Sequence, residues 1–309
     1  MPFFSVVIPC YNGAKTLPDT LNSVCAQTFK DFEVVVVNDG STDSSLDVLE
    51  SYSDSLPLKI ISQSNAGLGG ARNTGILNSI GEFVAFLDQD DIWFPQKLAI
   101  AYDSLKASGA DLVCHWEDAQ LNGITQGILK HGPYTSYYDI LFKGNCLSPS
   151  AVCVRRKSLE EVGLFSIEEG GHLCEDWDLW LKLANHDAKF VYHNEVLGIC
   201  LLHENNFSNT PGFLKKSEFV FESHVSRIAS PSNEIERKIN GARALHALSF
   251  AKSHLQLFDF IKFAECILRA FKTGFVIPFF WRSFIDKILA AIRRRGFLLF
   301  HGSFLRRHL

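Results

Sequence analysis

The chain has 309 residues and a mass of 34.7 kDa, which is long enough for about two domains of ordinary size. Hydrophobic residues make up 47% of the chain and charged residues 21%, and these fractions exclude an intrinsically disordered chain, a coiled coil and a fibrous repeat. The formal net charge of −4 gives no overall basic field, so we expect no nucleic-acid partner.

The first third of the chain alternates between strand and helix patterns. Short runs rich in apolar and β-branched residues predict strands, and apolar residues at helical spacing predict helices between them. Because the helical stretches are about 10–15 residues long, the pattern predicts βαβ units and a mainly parallel sheet in an α/β fold with flanking helices. The predicted strands are residues 4–8, 32–37, 59–61, 82–87 and 112–114.

The pattern is less regular in the middle of the chain. It weakens between residues 122 and 144, where Gly, Tyr and Lys are mixed. After Pro211 the chain is predicted to be helical to its end. Further predicted elements are strands at 150–154, 189–192 and 198–202 and a helix at 175–184.

Polar side chains directly follow three of the predicted strands. Asn12 comes after the first strand, Asp39 after the second, and Asp88 and Asp90 after the fourth. Ligands of parallel α/β sheets bind in the crevice beyond the carboxyl ends of the strands. The pattern therefore predicts a ligand site built from these residues.

The segment Asp88-Gln89-Asp90-Asp91 places three carboxylates within four residues. In an extended backbone Asp88 and Asp90 point the same way, and a divalent cation would relieve the repulsion between their charges. Carboxylates together with phosphate oxygens are the usual ligands of Mg²⁺ and Mn²⁺. The alternative is an acidic turn that caps the helix predicted around Pro95.

Two further segments could contact a nucleotide. Asp39 could accept a hydrogen bond from a base imide or a ribose hydroxyl, although Asp-Gly is also a common turn dipeptide. Gly67-Leu68-Gly69-Gly70 is predicted to open a helix over residues 71–80, and a close backbone approach there together with Arg72 could serve a diphosphate. The glycine spacing matches neither the P-loop nor the GxGxxG dinucleotide fingerprint.

Glu175-Asp176 lies beside two tryptophans, Trp177 and Trp180. A carboxylate near apolar rings has its pKa raised toward the range of a general base, and tryptophan faces suit the C–H groups of sugar rings. The alternative is an acidic first helical turn that complements the helix dipole, with both tryptophans in the core.

His203 is a candidate third metal ligand or phosphate donor. The alternative is that it is an ordinary polar side chain whose hydrogen bonds are satisfied.

Six segments of the chain, taken in order, form one set. They are Val6-Val7-Ile8-Pro9-Cys10-Tyr11-Asn12, Gln27-Thr28-Phe29, Val36-Val37-Asn38-Asp39-Gly40-Ser41-Thr42-Asp43, Asn65–Asn73, Phe86-Leu87-Asp88-Gln89-Asp90-Asp91 and Glu175-Asp176. Together they resemble glycosyltransferase family 2, whose members are inverting enzymes of the GT-A fold. The resemblance extends over residues 3–210.

The resemblance implies a GT-A fold, with a Rossmann-like, mainly parallel sheet and flanking helices, over residues 1–210. It implies an enzyme that moves a sugar with inversion from a nucleotide-sugar donor, expected to be a UDP-sugar, to a saccharide acceptor, with Mn²⁺ or Mg²⁺ as cofactor. Cys200-Leu201 replaces the Tyr-Arg pair that many members carry before the histidine. The resemblance implies that the backbone from Pro9 to Tyr11, with Asn12 and Asp39, holds the nucleobase and ribose. The other implied site residues are Asp88 for the ribose and sugar, Arg72 for the phosphates or donor sugar, Asp90 and His203 for the metal, and Asp176 as the general base.

Residues 211–309 are predicted to form a helical, basic extension outside the recognisable catalytic region. Between Lys262 and Leu309 there are ten Lys and Arg residues against two acidic residues, and clusters of Phe, Trp and Leu lie among them. A basic amphipathic segment of this kind is typical of binding to an anionic membrane surface, which would suit a lipid-linked acceptor. The alternative is an ordinary helical appendage with a solvated basic face.

The expected function is sugar transfer in the synthesis of a cell-surface polysaccharide or glycan. One alternative is a catalytically inactive nucleotide-binding or membrane scaffold protein. Another is a nucleotidyltransferase, which is disfavoured because only Lys15 supplies a basic residue near the N-terminus.

The eight cysteines form no CxxC pair and no secretory leader precedes them. We therefore expect a cytoplasmic protein, peripheral at the inner face of the cytoplasmic membrane.

Overall fold

The computed structural model describes residues 1–134, 136–145, 147–167, 174–202, 211–256 and 259–272. The chain divides into two compact units, with the division between Asn206 and Phe207. In their described residues, the first unit carries a sheet with helices and the second unit is helical.

The first unit contains nine strands and seven α-helices in its described part. The strands are β1 (Phe4–Cys10), β2 (Phe32–Asp39), β3 (Leu58–Gln63), β4 (Phe83–Phe86), β5 (Ile92–Trp93), β6 (Leu112–Leu121), β7 (Ile124–Leu129), β8 (Val152–Arg155) and β9 (Phe190–Leu201). The helices are α1 (Leu17–Cys25), α2 (Ser45–Ser51), α3 (Gly67–Leu77), α4 (Lys97–Ser108), α5 (Tyr137–Lys143), α6 (Arg156–Glu161) and α7 (Glu175–Asn185).

The sheet has the strand order β3-β2-β1-β4-β8-β6-β9-β5, with β7 paired to β6. Its first four strands are parallel throughout, as the βαβ pattern predicts. Every residue of β1 is buried, and so are seven of the eight residues of β2. A strand covered on both faces needs apolar side chains on both, which explains why these two segments show unbroken apolar runs. Antiparallel pairings enter with β8, which lies between β4 and β6.

The structure differs from the predicted elements in the middle of the chain. The irregular stretch from 122 to 144 holds β7 and α5. Nearly all of β7 is exposed, so it lacks the alternation of a half-buried strand. The two strands predicted at 189–192 and 198–202 are one strand, β9, whose middle residues Asn194 and Glu195 are exposed and interrupt the apolar pattern.

Helix α3 begins earlier than predicted, because the glycine-rich segment forms its first turn instead of preceding it. The helix packs closely on β1. A Cβ atom added to Gly75 would lie 2.3 Å from Cγ1 of Val7. Glycine therefore allows α3 to approach the sheet, and this approach brings Arg72 to the edge where the strands end.

The second unit contains three described helices, α8 (Pro211–Val225), α9 (Asn233–Gln256) and α10 (Phe260–Lys272). Helix α9 contacts both of the others. Ala244, Ala247 and Ala270 form a buried cluster of small side chains. Arg243 of α9 donates two hydrogen bonds to Glu222 of α8, at 2.8 and 2.7 Å.

Helix α10 is strongly amphipathic and keeps some apolar side chains exposed. Ile261 and Leu268 are 75% and 61% exposed, and they lie near the basic residues Lys262 and Lys272 in sequence. In the part of the chain that the structure describes, no helix combines the length and the hydropathy that a membrane span requires. The aromatic and basic clusters predicted beyond residue 272 lie outside the described residues.

Candidate active site

The loops that follow β1 and β2 are tied together at the carboxyl ends of these strands. Pro9 is buried in β1, opposite Val37 of β2. Asn12 adopts a positive φ of 51°, which asparagine tolerates better than most residues. Its backbone N–H donates to Oγ of Ser41 at 3.0 Å, and its side-chain Oδ1 accepts from the N–H of Thr42 at 2.8 Å. The two loops therefore form one wall of the site.

Asp39 ends β2 and is 3% exposed. Its Oδ1 accepts hydrogen bonds from Nε2 of Gln63 at 2.7 Å and from the N–H of Ala66 at 2.8 Å. The next residue, Gly40, has a φ of +78°, and a Cβ atom there would lie 3.0 Å from the backbone nitrogen of Asn65. Asp39 thus holds the start of α3 against the end of β2, and both of these hydrogen bonds fall on one carboxylate oxygen.

Gln89 holds the backbone of Tyr11. Its Oε1 accepts from the N–H of Tyr11 at 2.9 Å, and its Nε2 donates to the carbonyl of Tyr11 at 3.1 Å. The Tyr11 side chain is 48% exposed. The resemblance assigns the backbone from Pro9 to Tyr11 to the nucleobase and ribose, but both backbone polar groups of Tyr11 are bonded to Gln89. Tyr11 therefore offers its exposed ring to a ligand. The sequence offered no signal for this role of Gln89 beyond its place in the acidic segment.

Arg72 lies at the centre of the site, with 2% of its side chain exposed. Its Nη2 donates to Oδ1 of Asp88 at 2.7 Å and its Nη1 to Oε1 of Glu175 at 3.0 Å. Burial by itself would lower the pKa of Arg72, but the charges of Asp88 and Glu175 more than offset burial and raise it. The guanidinium stays charged and joins the acid after β4 to the first residue of α7. It bonds to two carboxylates, whereas the resemblance implies that it faces the phosphates or the donor sugar.

The three acids that follow β4 have different surroundings. The Asp88 side chain is 26% exposed, and Asp90 is half-buried. Asp91 is buried and accepts from Oγ of Ser150 at 2.6 Å and from the N–H of Leu201 at 3.0 Å. Burial, and then the charges of Glu117, Asp88 and Asp90, raise the pKa of Asp91 well above its usual range. Asp91 is thus a structural residue, whereas Asp88 and Asp90 are the members that a ligand can reach.

The donor chemistry at this strand end fits a hard divalent cation. Burial and the charges of Asp91, Glu117, Asp88 and Asp90 also raise the pKa of the Cys200 thiol, so negative charge is concentrated here. Oxygen ligands of this kind suit Mg²⁺ or Mn²⁺ shared with phosphate. Within the described residues no three His, Cys, Asp or Glu side chains are grouped to hold a metal. His203 lies outside the described residues.

Asp176 lies in the first turn of α7, beside Glu175. Its Oδ1 accepts from the N–H of Trp177 at 2.8 Å, and its Oδ2 accepts from Nδ2 of Asn145 at 2.7 Å. Burial, and then the charge of Glu175, raise its pKa to about 6, against the opposing effects of Asn145 and Arg72. A carboxylate of this pKa is ionised at neutral pH and still basic enough to accept a proton.

Trp177 and Trp180 are fully buried, with 1% and 0% exposure. Their indole N–H groups donate to the carbonyl of Ile140 at 3.2 Å and to the carbonyl of Leu147 at 3.1 Å. The interpretation of their faces as a sugar platform is therefore wrong, and the alternative that places both in the core is confirmed. They pack α7 against α5 and the segment that follows α5.

The sequence matches the model of the family described as Glycosyl transferase family 2 over residues 5–163. An uncharacterized glycosyltransferase of Nostoc sp. is 39% identical over 213 residues, which cover 65% of this chain and 62% of that protein. An uncharacterized glycosyltransferase of Rickettsia typhi is 30% identical and covers 70% of this chain and 72% of its own length. The cholesterol galactosyltransferase of Borreliella burgdorferi is 38% identical over 36% of this chain and 31% of its own length. The chain thus spans less than two thirds of the length of the Nostoc relative.

Solved structures share the fold. S. aureus TarS in complex with UDP-GlcNAc aligns with a TM-score of 0.61 at 21% identity, over 85% of this chain and 89% of that chain. The mannosyltransferase PcManGT from Pyrobaculum calidifontis, in complex with GDP-Man and Mn²⁺, aligns with a TM-score of 0.59 at 18% identity, over 96% of this chain and 80% of that chain. These likenesses confirm the GT-A fold that the sequence predicts.

Proposed function

This chain belongs to glycosyl transferase family 2, and we propose that it transfers a sugar, with inversion, from a nucleotide-diphosphate donor to a hydroxyl of a saccharide. The supporting observation is the connection from Asp88 through Arg72 to Glu175 and Asp176. This connection joins Asp88, which follows β4 where a donor would bind, to Asp176, the candidate base at the start of α7. We assign this activity to residues 1–210 and a separate role to residues 211–309.

We propose a UDP-sugar as the donor, bound beyond the carboxyl ends of β1 and β2. TarS, which shares the fold, was solved with UDP-GlcNAc. Asp39 would accept from the base imide or the ribose through Oδ2, because the two hydrogen bonds from Gln63 and Ala66 fall on Oδ1. Tyr11 would stack its exposed ring on the base, with Pro9 and Asn12 shaping the pocket around it.

We propose Mn²⁺ or Mg²⁺ as the cofactor, held by Asp90, with His203 as a further ligand and Asp88 beside it toward the ribose and sugar. PcManGT, which shares the fold, was solved with Mn²⁺. The ion would act as a Lewis acid for the charge that develops on the diphosphate leaving group.

Asp176 would then act as the general base. It would take the proton from the acceptor hydroxyl while that oxygen attacks the anomeric carbon on the side opposite the diphosphate. Attack from that side inverts the configuration and needs a single base, unlike the pair of carboxylates in a glycosidase. The pKa of about 6 leaves Asp176 ionised at pH 7.

We propose that the acceptor is a saccharide, in the synthesis of a cell-surface polysaccharide or glycan, and that it is carried on a lipid. One relative is named a cholesterol galactosyltransferase, so a lipid acceptor occurs among the similar proteins. The exposed apolar side chains and exposed lysines of α10 support a membrane-facing role for residues 211–309. The enzyme would then work as a peripheral protein at the inner face of the cytoplasmic membrane.

We expect UDP to bind in the presence of Mn²⁺ and to bind weakly or not at all in excess EDTA, as measured by the heat of binding. Asp90→Ala should weaken UDP binding in Mn²⁺ about tenfold or more (~1.4 kcal/mol or more). The exposed Asp54→Ala serves as a control that should leave binding unchanged. Metal-independent binding would contradict the metal site, and no binding of UDP, GDP or dTDP would favour the scaffold alternative.

We expect the full chain to sediment with vesicles that contain anionic lipid and not with neutral vesicles. Each basic residue near an anionic surface contributes about 1 kcal/mol, so the loss of both lysines in a Lys262→Glu, Lys272→Glu variant should weaken binding at least about thirtyfold. Lys157→Glu, an exposed change in the first unit, should have little effect. Equal recovery with neutral and anionic vesicles would contradict an electrostatic membrane contact.

A further inference from the structure

We propose that Asn145 is a positioning residue for the base: its side-chain amide fixes the orientation of the Asp176 carboxylate and stabilises its ionised form. The inference rests on the proposed role of Asp176. Asn145 lies between α5 and β8, 31 residues before Asp176 in the sequence. Its Nδ2 donates to Oδ2 of Asp176 at 2.7 Å.

The segment that carries Asn145 is held at both ends by the helix that carries the base. Trp177 donates to the carbonyl of Ile140 and Trp180 to the carbonyl of Leu147. These two indoles lie one and four residues after Asp176 on α7, and both are fully buried. Helix α5 ends at Lys143, and the φ of +85° at the next residue, Gly144, turns the chain into this segment. Asn145 therefore lies between two residues whose carbonyl groups are hydrogen-bonded to the helix that carries Asp176.

The two hydrogen bonds to Asp176 come from different directions. Oδ1 is held by the backbone N–H of Trp177, within α7, and Oδ2 is held by Asn145 from outside the helix. A first-turn aspartate held only by its own helix could rotate about its side-chain bonds. The second hydrogen bond restricts that rotation, and each oxygen keeps a further lone pair for an acceptor hydroxyl. A base must be held in reach of the proton that it removes.

The contact also sets the charge state of the base. Glu175, beside Asp176 on α7, opposes ionisation, and Arg72 from α3 favours it. Arg72 already bonds to Asp88 and Glu175. Among the residues that the structure describes, Asn145 is the group that bonds directly to the Asp176 side chain from outside α7. A neutral donor stabilises the carboxylate without adding a countercharge that would suppress its basicity.

The test compares the pH dependence of kcat/KM for the wild type with that of three variants. The wild type should lose activity as the pH falls through about 6. In Asn145→Ala the carboxylate loses a donor, so this acid limb should move up by about one pH unit. Asn145→Asp should move it further, because two neighbouring carboxyl groups would share a site, and Asn145→Ser should move it less. The donor KM should stay unchanged.

A direct titration keeps the inference separate from the proposed activity. With ¹³C-labelled aspartate carboxyl groups, the Asp176 signal is assigned from its loss in Asp176→Asn, and its pKa should rise in Asn145→Ala without any substrate. The exposed Asn194→Ala should leave it unchanged. An unmoved Asp176 titration in a folded Asn145→Ala or Asn145→Ser protein overturns the inference. If the Asp176 pKa rises in Asn145→Ala but Asp176→Asn transfers sugar as fast as the wild type, the proposed role of Asp176 as the base is refuted and the inference about Asn145 is not.

Discussion

Asp176→Asn should lower kcat for sugar transfer by about 10²–10⁴-fold, the contribution that a positioned general base makes. The substitution keeps the shape of the side chain, and its amide oxygen can still accept from the N–H of Trp177, but it cannot take a proton from the acceptor. UDP binding should be nearly unchanged, because the Asp176 carboxylate accepts hydrogen bonds from Trp177 and Asn145, which are not among the residues proposed to hold the nucleotide. Steady-state rates and the heat of UDP binding measure the two effects separately.

The same variant should be no less stable than the wild type. A carboxyl group whose pKa is raised on folding is harder to ionise in the folded state than in the unfolded state. Its ionisation therefore costs stability as the pH rises from the unfolded pKa of about 4 through the folded pKa, and the full cost applies above the folded pKa. The pKa of Asp176 is raised to about 6, so removing its charge should stabilise the fold at pH 7–8 by up to about 3 kcal/mol. Asp103→Asn, an exposed change on α4, is the control. A loss of UDP affinity as large as the loss of kcat would contradict the proposed role of Asp176 as the general base. A lower melting temperature would contradict the raised pKa.

Arg72→Ala should lower the free energy of unfolding by about 3–5 kcal/mol, because it leaves the carboxylates of Asp88 and Glu175 without their countercharge inside the protein. Arg72 is 2% exposed and Glu175 is 6% exposed, so water does not replace the lost partner easily. Transfer activity should also be lost, since the same guanidinium joins Asp88, near the proposed donor site, to Glu175 on the helix that carries Asp176. Urea denaturation measures the stability change.

The control for Arg72 is Arg156→Ala. Arg156 pairs with Glu160 one turn later on α6, and both side chains are partly exposed, at 31% and 41%. An exposed pair of this kind contributes about 1 kcal/mol or less. Replacing Arg72 by Met together with Glu175 by Gln should recover part of the lost stability, because one stranded charge is removed. A loss for Arg72→Ala no greater than that for Arg156→Ala would show that the central arginine is not buried as described.

The local features of the site follow from the sequence. Continuous apolar runs identify β1, β2 and β4, because strands covered on both faces tolerate few polar residues. The polar residues that end these runs, Asn12, Asp39 and Asp88, lie at one edge of the sheet because parallel strands bring their carboxyl ends together. The acidic first turn of α7 is also a local pattern. These signals were enough to predict the fold class and the family.

The sequence pattern failed where an element is exposed on one or both sides. The exposed β7 has no alternation of apolar and polar residues. The exposed middle of β9 divides one strand into two predicted strands. Periodicity detects burial, so a strand that is paired through its backbone but little buried leaves a weak trace in the sequence.

The contacts that connect the local motifs form only in the tertiary structure. Arg72 and Glu175 are 103 residues apart, Tyr11 and Gln89 are 78 apart, and Asn145 and Asp176 are 31 apart. Arginine, glutamine and asparagine are common surface residues, and their types alone do not show which partners they meet. Which segments carry charge and which are buried can be predicted from local patterns, because burial and turns depend on neighbouring residues. Only the packing of α3 on the sheet and of α5 on α7 determined which of these side chains meet, because a hydrogen bond depends on positions in space and not on separation along the chain.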